Sequence, residues 1–494
     1  MPTMKSVFVA SFASLASAGF PWWKPLVSED ALANRIHLPE LLRGEQTLED
    51  FAFSYPAGNR VFGGSAHMDT VNYIYEELKE TGYYDVYKQP QVHLWTKSEQ
   101  SLTVNGSKVE AQAMTYSPSV ETTADLVLVD NVGCTAEDYP EDVKGSIALI
   151  KRGQCAFAKK SVLAEAAGAK AAIVYNNAEG MLSGTLGSAQ SELGPYAPIM
   201  GISQDSGQKL AKQLQNSATP SAHLMINQQM ENRTTYNVIA QTKGGNPNNV
   251  ITLGGHSDSV NAGPGINDDG SGIIGNFIVA KELTHFSLKN AVRFMFWTAE
   301  EYGLLGSKFY VNSLDAVELS KIRLYLNFDM IASPNYALKI YDGDGSAFNQ
   351  TGPVGSAEIE HMFQEYYTSR NLPYRPTAFN GRSDYLAFIQ NGIPAGGLFT
   401  GAEDIKTVEE AELFGGRPGV SYDPNYHADG DDMSNISHEA FLINAKGIAY
   451  SVAKYAVSTD SLPPKQPASG LTPRDAHNDP HPAGSSCFHS LVTE

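Results

Sequence analysis

Five short segments of this chain carry residue types that bind metal ions and move protons: His256-Ser257-Asp258, Asn267-Asp268-Asp269-Gly270, Glu300-Glu301, Asn327-Phe328-Asp329 and Tyr426-His427. Taken singly, each has an ordinary reading. A histidine after a strand is commonly a surface or capping residue, Asp268-Asp269-Gly270 suits a turn with a helix N-cap, and Glu300-Glu301 suits a solvated first helical turn. Taken together they offer two imidazoles and several carboxylates, with no cysteine. That set suits zinc, and a catalytic zinc keeps one position open for water. A carboxylate can bridge two metals through its two oxygens, and metals about 3.5–4 Å apart can share a hydroxide and hold a substrate carbonyl. In the adjacent pair Glu300-Glu301, one carboxylate can bind metal while the other stays free to take a proton. Asp258, two residues after His256, is placed to orient the imidazole.

These residues lie far apart in the chain, so strands must bring them together. Three of the five segments follow or end an apolar strand pattern, at 250–253, 292–297 and 324–328. Helical patterns separate them, such as 272–286, and a last helix is expected over 439–455. This alternation predicts an α/β fold with a mixed, mostly parallel central sheet flanked by helices. In such a sheet, ligands bind in the crevice at the carboxyl ends of the strands. Upstream, 65–81 reads as an amphipathic helix, followed by strands to about 117. The block 120–235 reads as a separate module, with buried-strand patterns at 126–129, 147–150 and 171–175 and helices over 156–169 and 208–216. The peptide chain thus divides into a first part of the main domain (46–119), the insert (120–235), the main part (236–456) and a Pro-rich tail (457–494) expected to be disordered.

The balance of the 494 residues, 42% hydrophobic and 18% charged, excludes a mainly disordered chain, a collagen and a polytopic membrane protein. A formal net charge of −19 argues against nucleic acid as a partner. Lys5, the apolar stretch 6–15 and Ala16-Ser17-Ala18 read as a secretory signal, 1–18, cleaved after Ala18. Residues 19–45 then read as a propeptide, which would make the protein a zymogen, or as an N-terminal arm. No later run is long enough to span a bilayer, so no membrane anchor is expected. Sequons at Asn105, Asn232, Asn349 and Asn435 predict glycosylation of an exported protein. Cys134 and Cys155 lie in one region and are expected to pair in an oxidising compartment, leaving Cys487 over in the tail. Secretion is the expected localisation, with a vacuolar lumen as the alternative.

The segments also carry a resemblance. Gly255-His256-Ser257-Asp258-Ser259, the run from Gly265 through Asn267-Asp268-Asp269 to Gly272, and Thr298-Ala299-Glu300-Glu301-Tyr302-Gly303 closely resemble the co-catalytic two-zinc aminopeptidases. Asn327-Phe328-Asp329-Met330, Gly381-Arg382-Ser383-Asp384-Tyr385, the run from Gly397 to Glu403 and Tyr426-His427 continue the match in order. The insert is similar to a protease-associated domain. The match spans roughly 60–456 and implies the zinc exopeptidase fold. It implies that His256 and Glu301 are terminal ligands on opposite metals, as are Asp329 and His427, with Asp268 bridging. It implies Glu300 as general base, Tyr426 as a hydrogen-bond donor to the oxyanion, Arg382 near the substrate N-terminus and a cis peptide between Asp268 and Asp269. Ile393, Leu398 and Phe399 flank the region that shapes the first side-chain pocket in relatives. Five ligands around one bridging Asp exceed what one tetrahedral ion needs, so two zinc ions per chain are expected. The implied activity is removal of N-terminal residues, Leu and other apolar ones, from peptides with a free N-terminus, by a monomer. Carboxypeptidases, glutaminyl-cyclase-like transferases and catalytically dead receptor ectodomains use related folds. A dead relative would have lost ligands, and this chain departs from the pattern at none of them.

Overall fold

The computed structural model describes residues 24–464. The expected signal peptide, Cys487 and the tail beyond 464 lie outside the described residues.

The strands Asn290–Trp297 and Ile322–Phe328 are buried along their whole length. Such continuous apolar runs belong to strands covered by helices on both faces. They lie in a parallel group ordered Ala395–Phe399, Ile322–Phe328, Asn246–His256, Asn290–Trp297. Antiparallel strands flank the group. Lys339–Tyr341 pairs with Ala395–Phe399, and Ser221–Thr242 pairs with Asn290–Trp297. The sheet is therefore mixed with a parallel centre, as the sequence predicts. Helix Gly272–Leu283 presents Ile273, Ile274, Phe277 and Val279 to the core on one face of the sheet, and helix His438–Val457 adds Phe441, Ile448 and Val452. Register does the positioning: His256 pairs with Trp297, and Asn327 pairs with Gly254. The residues that follow these strands therefore emerge at one edge of the sheet.

Tyr84–Val104 and Ser221–Thr242 form a long ribbon, with Tyr84 opposite Thr242 and Val104 opposite Ala222. It carries the chain out of the main sheet and back, so the expected boundary at 235/236 falls inside a continuous strand. The insert has its own parallel sheet of Val120–Leu128, Ile147–Lys151, Ala171–Tyr175 and Ile199–Ile202. Alternate residues face opposite cores: Leu149 and Ile173 pack with Leu210, whereas Ile150 and Val174 pack with Ala164. Cys134 and Cys155 are bonded, the expected pairing.

Two expectations about the ends need correction. Residues 24–45 are not separate from the main domain: Leu32, Ile36 and Leu41 are fully buried in its core, and helix Leu38–Phe53 runs through the expected boundary at 45/46. The tail does not begin at 457. Leu462 is buried in the same core, Asn249 donates to Thr459, and Arg323 donates to the Pro463 carbonyl at 2.6 Å. Among the described residues, no helix is long and apolar enough to cross a membrane.

Candidate active site

At the carboxyl edge of the parallel strands, His256, Asp268, Glu300, Glu301, Asp329 and His427 line one cleft. His256 ends its strand, Glu300 and Glu301 follow Trp297 on a turn, and Asp329 follows Phe328. His427 comes from the loop between helix Val408–Phe414 and the short turn Met433–Asn435 that precedes the last helix. Three non-glycine residues at or beside these ligands, Ala299, Met330 and His427, have left-handed backbone. That conformation costs on the order of 1–2 kcal/mol each and persists where packing enforces it.

Asp268 stands at the centre. Its Oδ1 lies 3.1 Å from His256 Nε2, and its Oδ2 lies 3.2 Å from His427 Nε2. Around Oδ1, Asp329 Oδ1 is 3.7 Å from His256 Nε2; around Oδ2, Glu301 Oε2 is 3.1 Å from His427 Nε2. One carboxylate thus faces a different imidazole with each oxygen, and each imidazole has a second carboxylate beside it, Asp329 on His256 and Glu301 on His427. Two donors held about 2.0–2.1 Å from one tetrahedral zinc lie roughly 3.3 Å apart, close to the 3.1–3.2 Å between Asp268 and each imidazole and between Glu301 and His427, with Asp329 a little wider at 3.7 Å. Glu301 Oε1 is buried with no hydrogen-bond partner. The residues therefore fit two metal ions. Glu300 stands further off, its Oε2 3.9 Å from His256 Nε2.

The electrostatics agree. Burial disfavours protonation of His427, but Glu301 and Asp268 outweigh it and lift its pKa to about 11. Burial lifts the Glu300 carboxyl well above the usual carboxylate range, with His256 opposing and Glu301 adding to it. A cleft in which both imidazoles are drawn to protonate and Glu300 resists ionising has excess negative charge, which cations would compensate.

Neighbouring residues fix these side chains. His256 Nδ1 donates to the backbone carbonyl of Asp258 at 3.1 Å, which leaves Nε2 as the lone-pair nitrogen facing the cleft. The orienting role expected of Asp258 is thus carried by its carbonyl. Its carboxylate lies 3.8 Å from Nδ1 and instead accepts the Glu300 N–H at 3.0 Å. Ser383 donates to Asp329 Oδ2 at 2.6 Å. The backbone N–H groups of Asn267 and Asp268 donate to the two oxygens of Asp431 at 2.9 and 3.0 Å, and Asn267 Nδ2 donates to Asp423 at 2.7 Å. The peptide bond between Asp268 and Asp269 is cis. Sequence reasoning missed Asp423, Asp431 and Ser383. The available signal was that the buried N–H groups of the Asn267-Asp268 segment require acceptors, with acidic residues flanking Tyr426-His427 at both sides.

Tyr426 stacks on His427 with ring centroids 3.8 Å apart, and its hydroxyl accepts from Arg382 at 3.1 Å. That leaves the phenolic proton free to donate into the cleft. Arg382 lines the cleft, but its guanidinium is forked onto Glu403 at 2.6 and 3.2 Å. A cation so placed cannot receive a positively charged α-amine, so its expected closeness to the substrate N-terminus does not extend to binding that group. Phe399 lines the cleft with Tyr341, Thr377 and Asn380. Leu398 and Ile393 do not; both are buried in the core.

Of the sequons, Asn105, Asn232 and Asn349 are exposed. Asn435 is not a usable acceptor in the folded chain. It is 3% exposed, and its Nδ2 donates to Asp423 and Asp431 beneath the Asp268 segment.

Comparison with known proteins gives a consistent assignment. Residues 237–452 match the model of peptidase family M28, and residues 122–210 match the PA domain. The chain is 63% identical over 504 residues to probable leucine aminopeptidase 2 of Aspergillus fumigatus, covering 100% of both chains. It is 55% identical to leucine aminopeptidase 2 of Arthroderma otae, covering 97% of this chain and 96% of that one. Among solved structures, an aminopeptidase from Aneurinibacillus sp. strain AM-1 superimposes with a TM-score of 0.66 at 29% identity, covering 89% of this chain and 99% of that chain. A zinc aminopeptidase from Bacillus subtilis gives 0.58 at 25% identity, covering 86% and 97%. Ligand geometry, fold and full-length similarity converge, and the chain belongs to peptidase family M28, as a member with an inserted PA domain.

Proposed function

We propose that this zinc-dependent aminopeptidase holds two zinc ions per chain and removes N-terminal residues, Leu and other apolar ones foremost, from peptides. The observation that carries the reading is the placement of Asp268, whose two oxygens face different imidazoles at 3.1 and 3.2 Å. His256 and Asp329 would hold one ion, Glu301 and His427 the other, with Asp268 shared. Zinc so held supplies Lewis acidity and lowers the pKa of water. Glu300, the carboxylate farthest from an imidazole nitrogen and held by its N–H on Asp258, accepts the proton of the attacking water and delivers it to the departing amine. Tyr426, whose hydroxyl accepts from Arg382, donates its proton to the developing oxyanion. The carboxylates of the cleft, Glu300 among them, favour a substrate with a free α-amine. Phe399 and Tyr341 offer an apolar wall to the first side chain, which supports the preference for Leu; the relatives named leucine aminopeptidase support it too.

The bonded Cys134–Cys155 pair and the three exposed sequons support an oxidising, exported destination, the cell exterior or a vacuolar lumen, where the chain acts as a monomer. The test compares a Leu-anilide with its N-acetylated form on purified protein, beside metal analysis. Cleavage of the free amine alone, with two zinc ions per chain and loss of activity on chelation, is expected. Equal cleavage of the acetylated substrate, or a single occupied site in the active enzyme, would overturn the reading.

A further inference from the structure

After strand Lys339–Tyr341 the chain turns through Asp342-Gly343-Asp344-Gly345-Ser346, and helix Ser356–Thr368 packs back to bring Glu360 against that turn. Asp342, Asp344 and Glu360 each present one carboxylate oxygen within 4.8 Å of the other two. Asp342 is 0% exposed and Glu360 3%, while the side chain of Asp344 reaches solvent. Backbone amides hold all three, Ser346 donating to Asp344 Oδ1 at 2.8 Å. Ala347 and Phe348 donate to Asp342 Oδ2 at 3.1 and 2.9 Å, and Gly343 and Asp344 donate to Glu360 Oε2 at 2.8 and 3.1 Å. Asp342 Oδ1 is left over. It is fully buried and no N–H or O–H group donates to it, while the Asp342 and Asp344 carboxyls meet each other, as two carboxyls do by sharing a proton or a cation. Among the described residues no Lys or Arg forms an ion pair with any of the three. The one basic neighbour is exposed His361, 3.8 Å from Asp344 Oδ2. A buried carboxylate oxygen without an N–H or O–H donor is costly, and two carboxyls in contact need a shared proton or a cation between them.

We propose that Asp342, Asp344 and Glu360 form a calcium site separate from the catalytic centre, with Asp342 Oδ1 as its innermost ligand. All donors are oxygens, which selects a hard cation over zinc. Oxygens on one calcium, at about 2.3–2.6 Å from the ion, lie at most about 5 Å from each other, so the three carboxylates can share one ion. The D-x-D-x-S order places side-chain oxygens at positions one, three and five, the alternation by which calcium loops supply ligands. Gly343 keeps the turn tight, since a Cβ there would meet the Ser356 carbonyl oxygen at 2.2 Å. The site bears on the cleft through its neighbours. Tyr341 lines the substrate wall, and the Asp342 N–H donates to the carbonyl of Thr377, another wall residue, at 2.8 Å. Bound calcium would therefore stiffen that wall and stabilise the fold without entering the chemistry.

The experiment uses the full-length, zinc-loaded chain, passed over a chelating resin into calcium-free buffer and checked for retained zinc. Calcium is then titrated against Tm and by equilibrium dialysis, in parallel with Asp344→Asn, whose position near the surface tolerates the change. The parent should bind one calcium ion per chain and gain several degrees of Tm at saturation, because a ligand that binds only the folded state stabilises it by mass action. Asp344→Asn should keep its zinc and its fold but bind calcium at least ~10-fold more weakly. No calcium bound by the parent, or the same binding and Tm gain in the variant, would overturn the proposal.

Discussion

Replacing Glu300 by Gln removes one ionisable oxygen and little else, so it separates proton transfer from metal binding. The side chain keeps its length. The Glu300 N–H stays on Asp258 Oδ1 at 3.0 Å. At 3.9 Å from His256 Nε2, the Glu300 oxygen is the most distant of the cleft carboxylates from an imidazole nitrogen, just beyond Asp329 at 3.7 Å. Glu301 is far closer to its imidazole, at 3.1 Å from His427 Nε2. Glu300→Gln should therefore keep both metals and the fold. Losing a general base costs about 10²–10⁴ in rate, or roughly 2.7–5.5 kcal/mol at about 1.36 kcal/mol per decade. The loss should fall on kcat, with KM for a Leu-anilide changed by no more than a few fold. Glu301→Gln should behave differently, losing metal from one site together with activity. The assay is steady-state kinetics on both variants beside zinc content per chain. If Glu300→Gln is short of a zinc ion, or if Glu301→Gln keeps both ions and loses only kcat, the roles are reversed and the reasoning from donor spacing fails.

Two further predictions concern what holds the site. Arg60 is fully buried and donates to the carbonyls of Pro264, Ser257 and Gly265 at 2.8, 2.6 and 2.6 Å, tying down the loop between His256 and Asp268. Arg60→Met leaves those carbonyls without donors and the buried Glu45 without its compensating charge, so unfolding in urea should show a loss of about 3–5 kcal/mol; a loss below about 1 kcal/mol would refute the role. Burial, aided by the charge of Arg60, holds His67 down to a pKa of about 3. The folded state thus binds fewer protons than the unfolded state, and the contribution of His67 is complete above about pH 6.5 and falls as pH drops towards 3. Between pH 7.5 and 5 the stability gap between the parent and His67→Gln should narrow by about 2 kcal/mol, and parallel pH profiles would show that His67 is not buried neutral.

The residue types and their order are legible in the sequence by itself. His256, Glu300-Glu301 and Asp329 stand just past apolar runs, and a parallel sheet delivers such positions to one edge whatever the details of packing. Short apolar runs likewise reveal the strands of the insert, because each is covered on both faces. The pairing of ligands is a different matter. That Asp268 offers one oxygen to His256 and the other to His427, that the Asp258 carbonyl rather than its carboxylate meets the imidazole, and that Glu300 stands farther from an imidazole than Glu301 does are decided by differences of less than an ångström between segments as much as 159 residues apart, as Asp268 and His427 are. Local pattern carries no such information. Asn435 shows the limit most clearly. Its tripeptide is a sequon by composition, and only the fold shows its amide buried between Asp423 and Asp431, under the segment that presents Asp268. Residues 24–45 read as a propeptide or an arm for the same reason: only the tertiary structure shows that Leu32, Ile36 and Leu41 are buried in the main core.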